Sequence, residues 1–310
     1  MIKKTLYFGN PAYLSLNNKQ LVIKLPEIEK NNELPEIIKK SSIKTIPIED
    51  IGVVILDHKQ ITITQALIAA LLDNTVALIT CNDKRMPTGM LLPLQGCTTQ
   101  NERFRKQIEA SLPLKKQLWQ QTVKAKIENQ ATLLEKQTKQ IARNLRKMAA
   151  EVKSGDSDNY EAQAAVFYWR NIFPTIPDFI RGQEEDPPNN LLNYGYAILR
   201  AVVARALVAS GLLPVYGIFH HNKYNDYCLA DDIMEPYRPV VDMLVKQIVR
   251  TQAVTEYISV EAKRILLGIS TVDVKMGKQK RPLMIAVNET TASLSKCFLG
   301  ESRRISYPSL

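Results

Sequence analysis

Residues 124–153, KAKIENQATLLEKQTKQIARNLRKMAAEVK, decide how the chain divides. Ile127, Ala131, Leu134, Ile141, Leu145, Met148 and Val152 follow a four-three spacing, Thr138 fills the one missing step, and no proline or glycine interrupts them. That pattern predicts one long amphipathic helix. Its basic residues fall largely off the apolar stripe. From Arg103 to Lys153 there are thirteen Lys or Arg against four Glu, which is nearly all of the chain's net charge of +10. Such a face is either a solvated helix surface or a surface for phosphate backbone, where binding is salt-dependent and largely independent of base sequence.

Upstream of this helix the texture is different. Tyr13 to Leu16 and Leu21 to Lys24 flank Asn17-Asn18 as two strands flank a tight turn, and Ile46 to Leu56 and Val76 to Cys81 are further β-branched runs. Thr64 is placed to cap a short helix from Gln65 to Asp73, with Asn74 as its stop. After Leu94-Gln95-Gly96 the pattern becomes helical almost to the end. Breaks at Ser154 to Asn159 and Glu184 to Asn190 separate helices, and Gly211 with Pro214 ends the helix that begins near Leu191. Val272 to Val274 and Leu283 to Val287, around Gly277, predict one late hairpin. The class is α+β: a small β-rich domain over residues 1–96, then a larger, mostly α-helical domain over 97–310.

With 310 residues, 45% apolar and 23% charged, the chain is long enough for two cores and has the composition of a folded globular protein. No apolar run approaches the roughly 18 residues of a spanning helix without a charge, since Arg200 and Arg205 interrupt the best stretch. The start, MIKKTLYFGN, lacks the apolar core of a secretory leader. No membrane partner and a cytoplasmic location are expected. Cys81, Cys97, Cys228 and Cys297 are widely spaced and read as buried thiols, not as a disulfide framework or a zinc site. No GxxxxGK[ST] or GxGxxG stretch is present, which argues against ATP or NAD use.

The chain has only three histidines, His58, His220 and His221. The adjacent pair follows Gly217-Ile218-Phe219 and precedes an acidic segment, Leu229-Ala-Asp-Asp-Ile-Met-Glu235. On a helix Asp232 and Glu235, three apart, share a face and converge on a cation, and a loop imidazole can join them. Each residue also has a plainer reading. Asp231-Asp232 suit the first turn of a helix, and Asp158-x-x-Glu161 resembles a capping box.

Several segments together resemble the integrase of CRISPR spacer acquisition. They are Glu161-Ala-Gln-Ala-Ala165 with Phe167-Tyr168-Trp169, Leu192-Asn-Tyr-Gly-Tyr-Ala-Ile-Leu199, Gly211-Leu-Leu-Pro214, Gly217-Ile-Phe-His220, and Asn225 through Leu229-Ala-Asp-Asp-Ile-Met-Glu-Pro-Tyr-Arg-Pro-Val-Val-Asp242. Cys81-Asn-Asp-Lys-Arg-Met-Pro87 further resembles members from type II systems, which work beside an RNA-guided nuclease. The resemblance implies a β-rich N-terminal domain that dimerises and a helical catalytic domain. It also implies a homodimer, two of which a small partner protein bridges on double-stranded DNA, both the incoming spacer and the repeat. Glu161, His220 and Glu235 fall on the family's ligands for Mg²⁺ or Mn²⁺ and are the expected catalytic residues. His220 is preferred over His221 because it stands three residues after Gly217. Some members have Asp-x-x-Asp where this chain has Asp232-x-x-Glu235, which leaves Asp232 as either a fourth ligand or a supporting residue. Arg238 sits where the family keeps a basic residue near phosphate. Asn193 and Tyr194 are expected near the metal, with Tyr194 against a DNA end. Arg143, Arg146 and Lys147 are expected on the DNA backbone from charge alone. The reaction implied is joining of a 3′-hydroxyl end into the repeat by transesterification. A metal-dependent endonuclease and a non-catalytic basic DNA scaffold are the alternatives.

Overall fold

The computed structural model describes residues 3–135, 139–176, 178–182, 186–251 and 253–310. The chain divides into two compact units, Met1–Gly96 and Cys97–Leu310. The first contains β1 (Lys4–Phe8), β2 (Ala12–Asn17), β3 (Gln20–Lys24), α1 (Pro26–Glu29), α2 (Glu36–Ser42), β4 (Lys44–Pro47), β5 (Ile51–Leu56), β6 (Ile61–Ile63), α3 (Gln65–Asp73), β7 (Ala77–Cys81) and β8 (Pro87–Leu91). Its strands form two four-stranded sheets, ordered β1-β5-β7-β8 and β4-β3-β2-β6. Leu14, Leu21, Ile51, Val54, Leu67 and Leu71 belong to the buried cluster of this unit, with α3 packed against it.

The hairpin of β2 and β3 forms as expected, but Asn17 pairs with Gln20, so the turn is Asn18-Lys19, one residue later than predicted. Both turn residues have positive φ, 46° and 58°, the left-handed pair that a two-residue hairpin requires. Thr64 caps α3 by accepting from Leu67 N, as its position suggested. The run Ile46 to Leu56 is not one strand. A 3₁₀ turn, Ile48–Asp50, divides it and sends β4 and β5 to different sheets. β5 lies between two parallel neighbours, β1 and β7, and Ile51 to Ile55 are all buried. A strand covered on both faces is apolar throughout and shows no alternation that would mark its start.

The second unit is mainly helical, in agreement with the expected fold class. Its helices are α4 (Gln100–Ile108), α5 (Leu112–Glu135), α6 (Lys139–Glu151), α7 (Tyr160–Ile172), α8 (Asn189–Ala209), α9 (Cys228–Met234), α10 (Arg238–Thr251), α11 (Val260–Leu267) and α12 (Leu283–Phe298). The long helix predicted across 127–152 is instead two. Gln120 Nε2 donates to Val152 O and Arg146 reaches back to Glu135, so α5 and α6 run antiparallel. Thr138, the residue that carried the period across the join, lies outside the described residues. The late hairpin is also revised. β9 (Asp273–Met276) pairs with β10 (Gln279–Pro282) around Gly277, and Leu283 to Val287 open α12.

α8 is the core helix, in contact with α9, α10, α11 and α12. By length and composition it would span a membrane, yet most of it is buried within this unit. Gly195 lets α10 and α11 approach: a Cβ there would stand 2.5 Å from Val241 Cγ1 and 3.3 Å from Leu266 Cδ2. Overfilling such a contact costs about 1–3 kcal/mol. Gly195→Val is therefore expected to lower stability by that amount in urea unfolding. Gly268→Ala, where a Cβ meets nothing within 4 Å, should change it by less than about 0.5 kcal/mol.

Candidate functional site

Glu161 enters the site from the first turn of α7. That turn is capped by Asp156, whose two carboxylate oxygens accept from Tyr160 N and Glu161 N at 2.9 Å each. Asp158, predicted to do this, pairs instead with Lys153 at 2.8 Å. The cap lies five residues upstream because Asp156 and Asn159 adopt left-handed φ values of 52° and 55° and fold the chain back beneath the helix start. Glu235 follows α9 and begins the 3₁₀ turn Glu235–Tyr237, so the acidic segment stays helical through both carboxylates.

Lys126, on α5, stands between Glu161 and Glu235. Its ammonium is 2.5 Å from Glu161 Oε1 and 2.5 Å from Glu235 Oε2. Arg238 Nε lies 2.8 Å from Glu235 Oε1, and the guanidinium sits 4.6 Å from the Tyr196 ring centre. Burial alone would raise the Glu235 carboxyl, but Arg238 and Lys126 outweigh it and hold the group below its ordinary value. Burial would likewise neutralise Lys126, and the two glutamates overcome it and raise its pKa. In the sequence Lys126 counted as one of thirteen surface charges, whereas its side chain is only 9% exposed.

His220 and Asp232 form the other half of the site. Asp232 is fully buried and accepts from Ile218 N (2.7 Å), Phe219 N (3.0 Å) and His220 N (3.3 Å), while its Oδ1 lies 2.5 Å from His220 Nδ1. Burial raises the Asp232 carboxyl above its ordinary value, and this cradle of donors offsets only part of that rise. With Nδ1 as the donor, His220 presents Nε2, the arrangement in which a carboxylate fixes the tautomer of a ligating imidazole. The hydrogen bond to Asp232 raises the His220 pKa above its ordinary value, against burial. Phe219 stacks on Trp119 at 4.2 Å, and the imidazole stands edge-on to both rings. Gly217 makes this turn possible, since a Cβ there would strike His220 O, 2.8 Å from Asp232 Oδ2 and 3.1 Å from Cys228 Cβ.

Among the described residues, no three His, Cys, Asp or Glu side chains already close around a common ion position. The donor set nevertheless fits a divalent cation. Two carboxylate oxygens from separate elements already gather on a positive charge, and the buried Glu235 Oε2 has no aligned hydrogen-bond donor. The charge of both glutamates reaches His220. A hard cation favours such oxygen ligands, and an imidazole is compatible with Mn²⁺.

The structure separates the remaining predicted residues. Tyr194 is fully buried, with Lys263 Nζ 5.3 Å from its ring centre, so the expectation that it meets a DNA end is corrected: no face of the ring reaches solvent. Asn193 Oδ1 accepts from Arg181 at 2.7 Å. Arg143 and Lys147 are exposed on α6. Arg146 is bound bidentately to Glu135 at 2.9 and 3.0 Å. Asp231 is engaged by Arg200 at 2.6 Å and Asn225 at 2.8 Å.

Three supporting residues were given no role by the sequence. Asn129 Nδ2 donates to Pro236 O (2.7 Å) and Pro308 O (3.1 Å), tying the residue after Glu235 to the C-terminal segment. Arg181 bonds Asn189 and Asn193 and covers Tyr196 at 5.3 Å. Asp242 accepts from the hydroxyls of Tyr168 and Tyr196.

Residues 6–272 match the family model of CRISPR associated protein Cas1. The chain belongs to the Cas1 family. It is 34% identical over 294 residues to the CRISPR-associated endonuclease Cas1 of Neisseria meningitidis serogroup C, covering 94% of this chain and 91% of that one. Its fold resembles a casposase bound to integration product, with TM-score 0.75 at 18% identity over 98% and 92% of the two chains. It also resembles a chain of a Cas6-RT-Cas1–Cas2 complex, with TM-score 0.74 at 21% identity over 100% of this chain and 36% of that one. Within this Cas1 protein, the motif Gly217-Ile-Phe-His220 has a steric reason for its glycine and a hydrogen-bonding reason for its distance from Asp232.

Burial pushes the Asp242 carboxyl up to about 6, against the two phenol donors. A folded-state value above the unfolded one stabilises below the unfolded pKa, near 4, and that stability is lost as pH rises through 6. Between pH 4 and 7.5, wild type should therefore lose about 2–3 kcal/mol relative to Asp242→Asn, measured as the difference in urea unfolding free energy.

Proposed function

We propose that this Cas1 protein is a divalent-metal-dependent DNA integrase of CRISPR adaptation, which joins 3′-hydroxyl ends of captured DNA into the repeat array. The observation that carries the reading is that Glu161 and Glu235 meet on Lys126 from separate elements while their charge reaches the Asp232-oriented His220. Family membership and the likeness to a casposase bound to integration product support it.

Glu161, Glu235 and His220 Nε2 would hold Mg²⁺ or Mn²⁺. When bound, the ion supplies Lewis-acid chemistry, easing proton loss from the attacking hydroxyl and neutralising charge on the phosphoryl oxygens. Asp232 keeps the imidazole in one tautomer and orientation. Arg238 and Lys126 keep Glu235 ionised, and Asn129 fixes the backbone at Pro236. One phosphodiester replaces another, so the reaction needs no nucleotide. Water in place of the 3′-hydroxyl would make the same site an endonuclease, the activity in the name of the Neisseria relative.

Double-stranded DNA is the proposed substrate, with Arg143 and Lys147 on its backbone, and with Arg146 if it leaves its glutamates. Exposed ion pairs of that kind are worth little, so a phosphate competes well for the guanidinium. A cytoplasmic homodimer through the β-rich unit, a small bridging partner as in the name of the Cas1–Cas2 complex, and a type II nuclease beside it complete the proposal.

The test is joining of a short duplex into supercoiled plasmid carrying repeats, with the partner protein, in Mn²⁺, Mg²⁺ or EDTA. Glu161→Ala, His220→Ala and Glu235→Ala should each abolish joined product while DNA affinity stays within a factor of about three. Cleavage without joining would identify an endonuclease, and binding indifferent to metal and to all three variants would identify a scaffold. Arg143→Glu with Lys147→Glu should weaken binding at least tenfold and flatten its dependence on salt by about two phosphate contacts.

A further inference from the structure

Lys126 is the one charged group of the site whose place neither the metal ligands nor the DNA explains. Its side chain is buried on α5, and its ammonium touches both carboxylates at 2.5 Å. The two oxygens are therefore at most about 5 Å apart, a separation at which like charges in a buried site repel strongly. Charge-assisted N···O contacts usually run 2.7–2.9 Å, so this contact is tight as well as doubled. Glu161 is 25% exposed and lacks a cationic partner from α9 or α10 among the described residues, whereas Glu235 also has Arg238. Among the described residues, only Lys126 joins the carboxylate of α7 to the carboxylate that follows α9.

We infer that Lys126 is the resident counter-ion of the metal site. In the metal-free protein its ammonium holds Glu161 and Glu235 in their converged positions, and it gives up that place between them when a divalent cation binds. Lys126 is thus a positioning residue with two opposed effects. It preorganises the carboxylates, and it competes for the charge that the metal must take. The inference rests on the metal-binding reading above. The other groups facing the position keep their own carboxylate partners during the exchange, the guanidinium of Arg238 on Glu235 and the imidazole of His220 on Asp232.

The deciding experiment measures Mn²⁺ binding and thermal unfolding, not activity. Wild type, Lys126→Met and Glu235→Gln are titrated with Mn²⁺, following loss of the free-ion EPR signal, and melted in EDTA and in saturating Mn²⁺. Expected are a lower melting temperature of Lys126→Met in EDTA, a larger rise with Mn²⁺ than in wild type, and at least tenfold tighter Mn²⁺ binding. Lys126→Met that binds Mn²⁺ no tighter than wild type, or is destabilised equally with and without it, overturns the inference while leaving the metal reading intact. Absence of Mn²⁺ binding to wild type overturns the metal reading itself and this inference with it. If Lys126→Met does not fold, wild type alone decides: acetylation of Lys126 by acetic anhydride, quantified by mass spectrometry, should rise severalfold in Mn²⁺ over EDTA. Unchanged acetylation at saturating Mn²⁺ overturns the exchange.

Discussion

The charge cluster formed by buried Lys126 and Glu235 with partly exposed Glu161 and Arg238 is the constraint around which the helical unit is arranged. Two carboxylates no more than about 5 Å apart repel by roughly 3 kcal/mol at an effective dielectric of about 20, before either is charged for leaving water. Helix propensity and apolar packing cannot supply an answer to that repulsion. Cations can, and the fold delivers them from two directions, α5 and α10. A buried ion pair is weak evidence for stability, because apolar residues of the same volume usually do as well. Keeping four charges where a core could have been apolar is a cost that chemistry at the site explains better than folding does.

The scaffold around the cluster limits the freedom of each member. Asn129 ties Pro236 to Pro308, so the backbone beside Glu235 is held from α5 and from the C-terminal segment at once. Asp156 seats the first turn of α7 and with it Glu161. Asp232 gathers three consecutive amides and the imidazole, which turns a four-residue loop into a rigid mount for His220. Each device uses backbone groups that would otherwise be unsatisfied, and site geometry and polar satisfaction are met by the same hydrogen bonds.

The sequence made legible what is decided locally. The hairpin of β2 and β3, the Thr64 cap, the end of α8 and the change of texture at Gly96 each depend on a few adjacent residues. What stayed hidden depends on distant partners. The seven-residue repeat from 127 to 152 has the same period whether the chain runs straight or folds back, because the apolar faces of two antiparallel helices share a core. Lys126 looks like its basic neighbours in one dimension, and only Glu161 and Glu235, 35 and 109 positions away, account for its burial. Tyr194 was expected against a DNA end, but its direction follows from the packing of α8, which buries it. The proposed metal ligands were named through resemblance; spacing alone left Asp232 and Glu235 equivalent. Their different partners separate them, since Asp232 is saturated by donors and Glu235 faces cations.

The same distinction between counted and available charge bears on DNA. A count of 41 Lys and Arg overstates the positive charge free to meet a phosphate backbone, because Lys126, Arg146, Lys153, Arg200 and Arg238 all have carboxylate partners within 4 Å. Buried pairs such as Lys126 contribute almost nothing outside the protein. Exposed pairs such as Arg146 with Glu135 are held loosely enough for a phosphate to take the guanidinium and leave the glutamate to water. Arg143 and Lys147, exposed on α6, are attractive from the start. The basic run therefore works in grades, from charge spent on the site's own carboxylates, through charge that DNA must win, to charge already offered. The helix pair that carries it joins the two proposed tasks: α5 supplies the cation that bridges the acidic residues, and α6 presents the exposed cations that the proposal assigns to DNA.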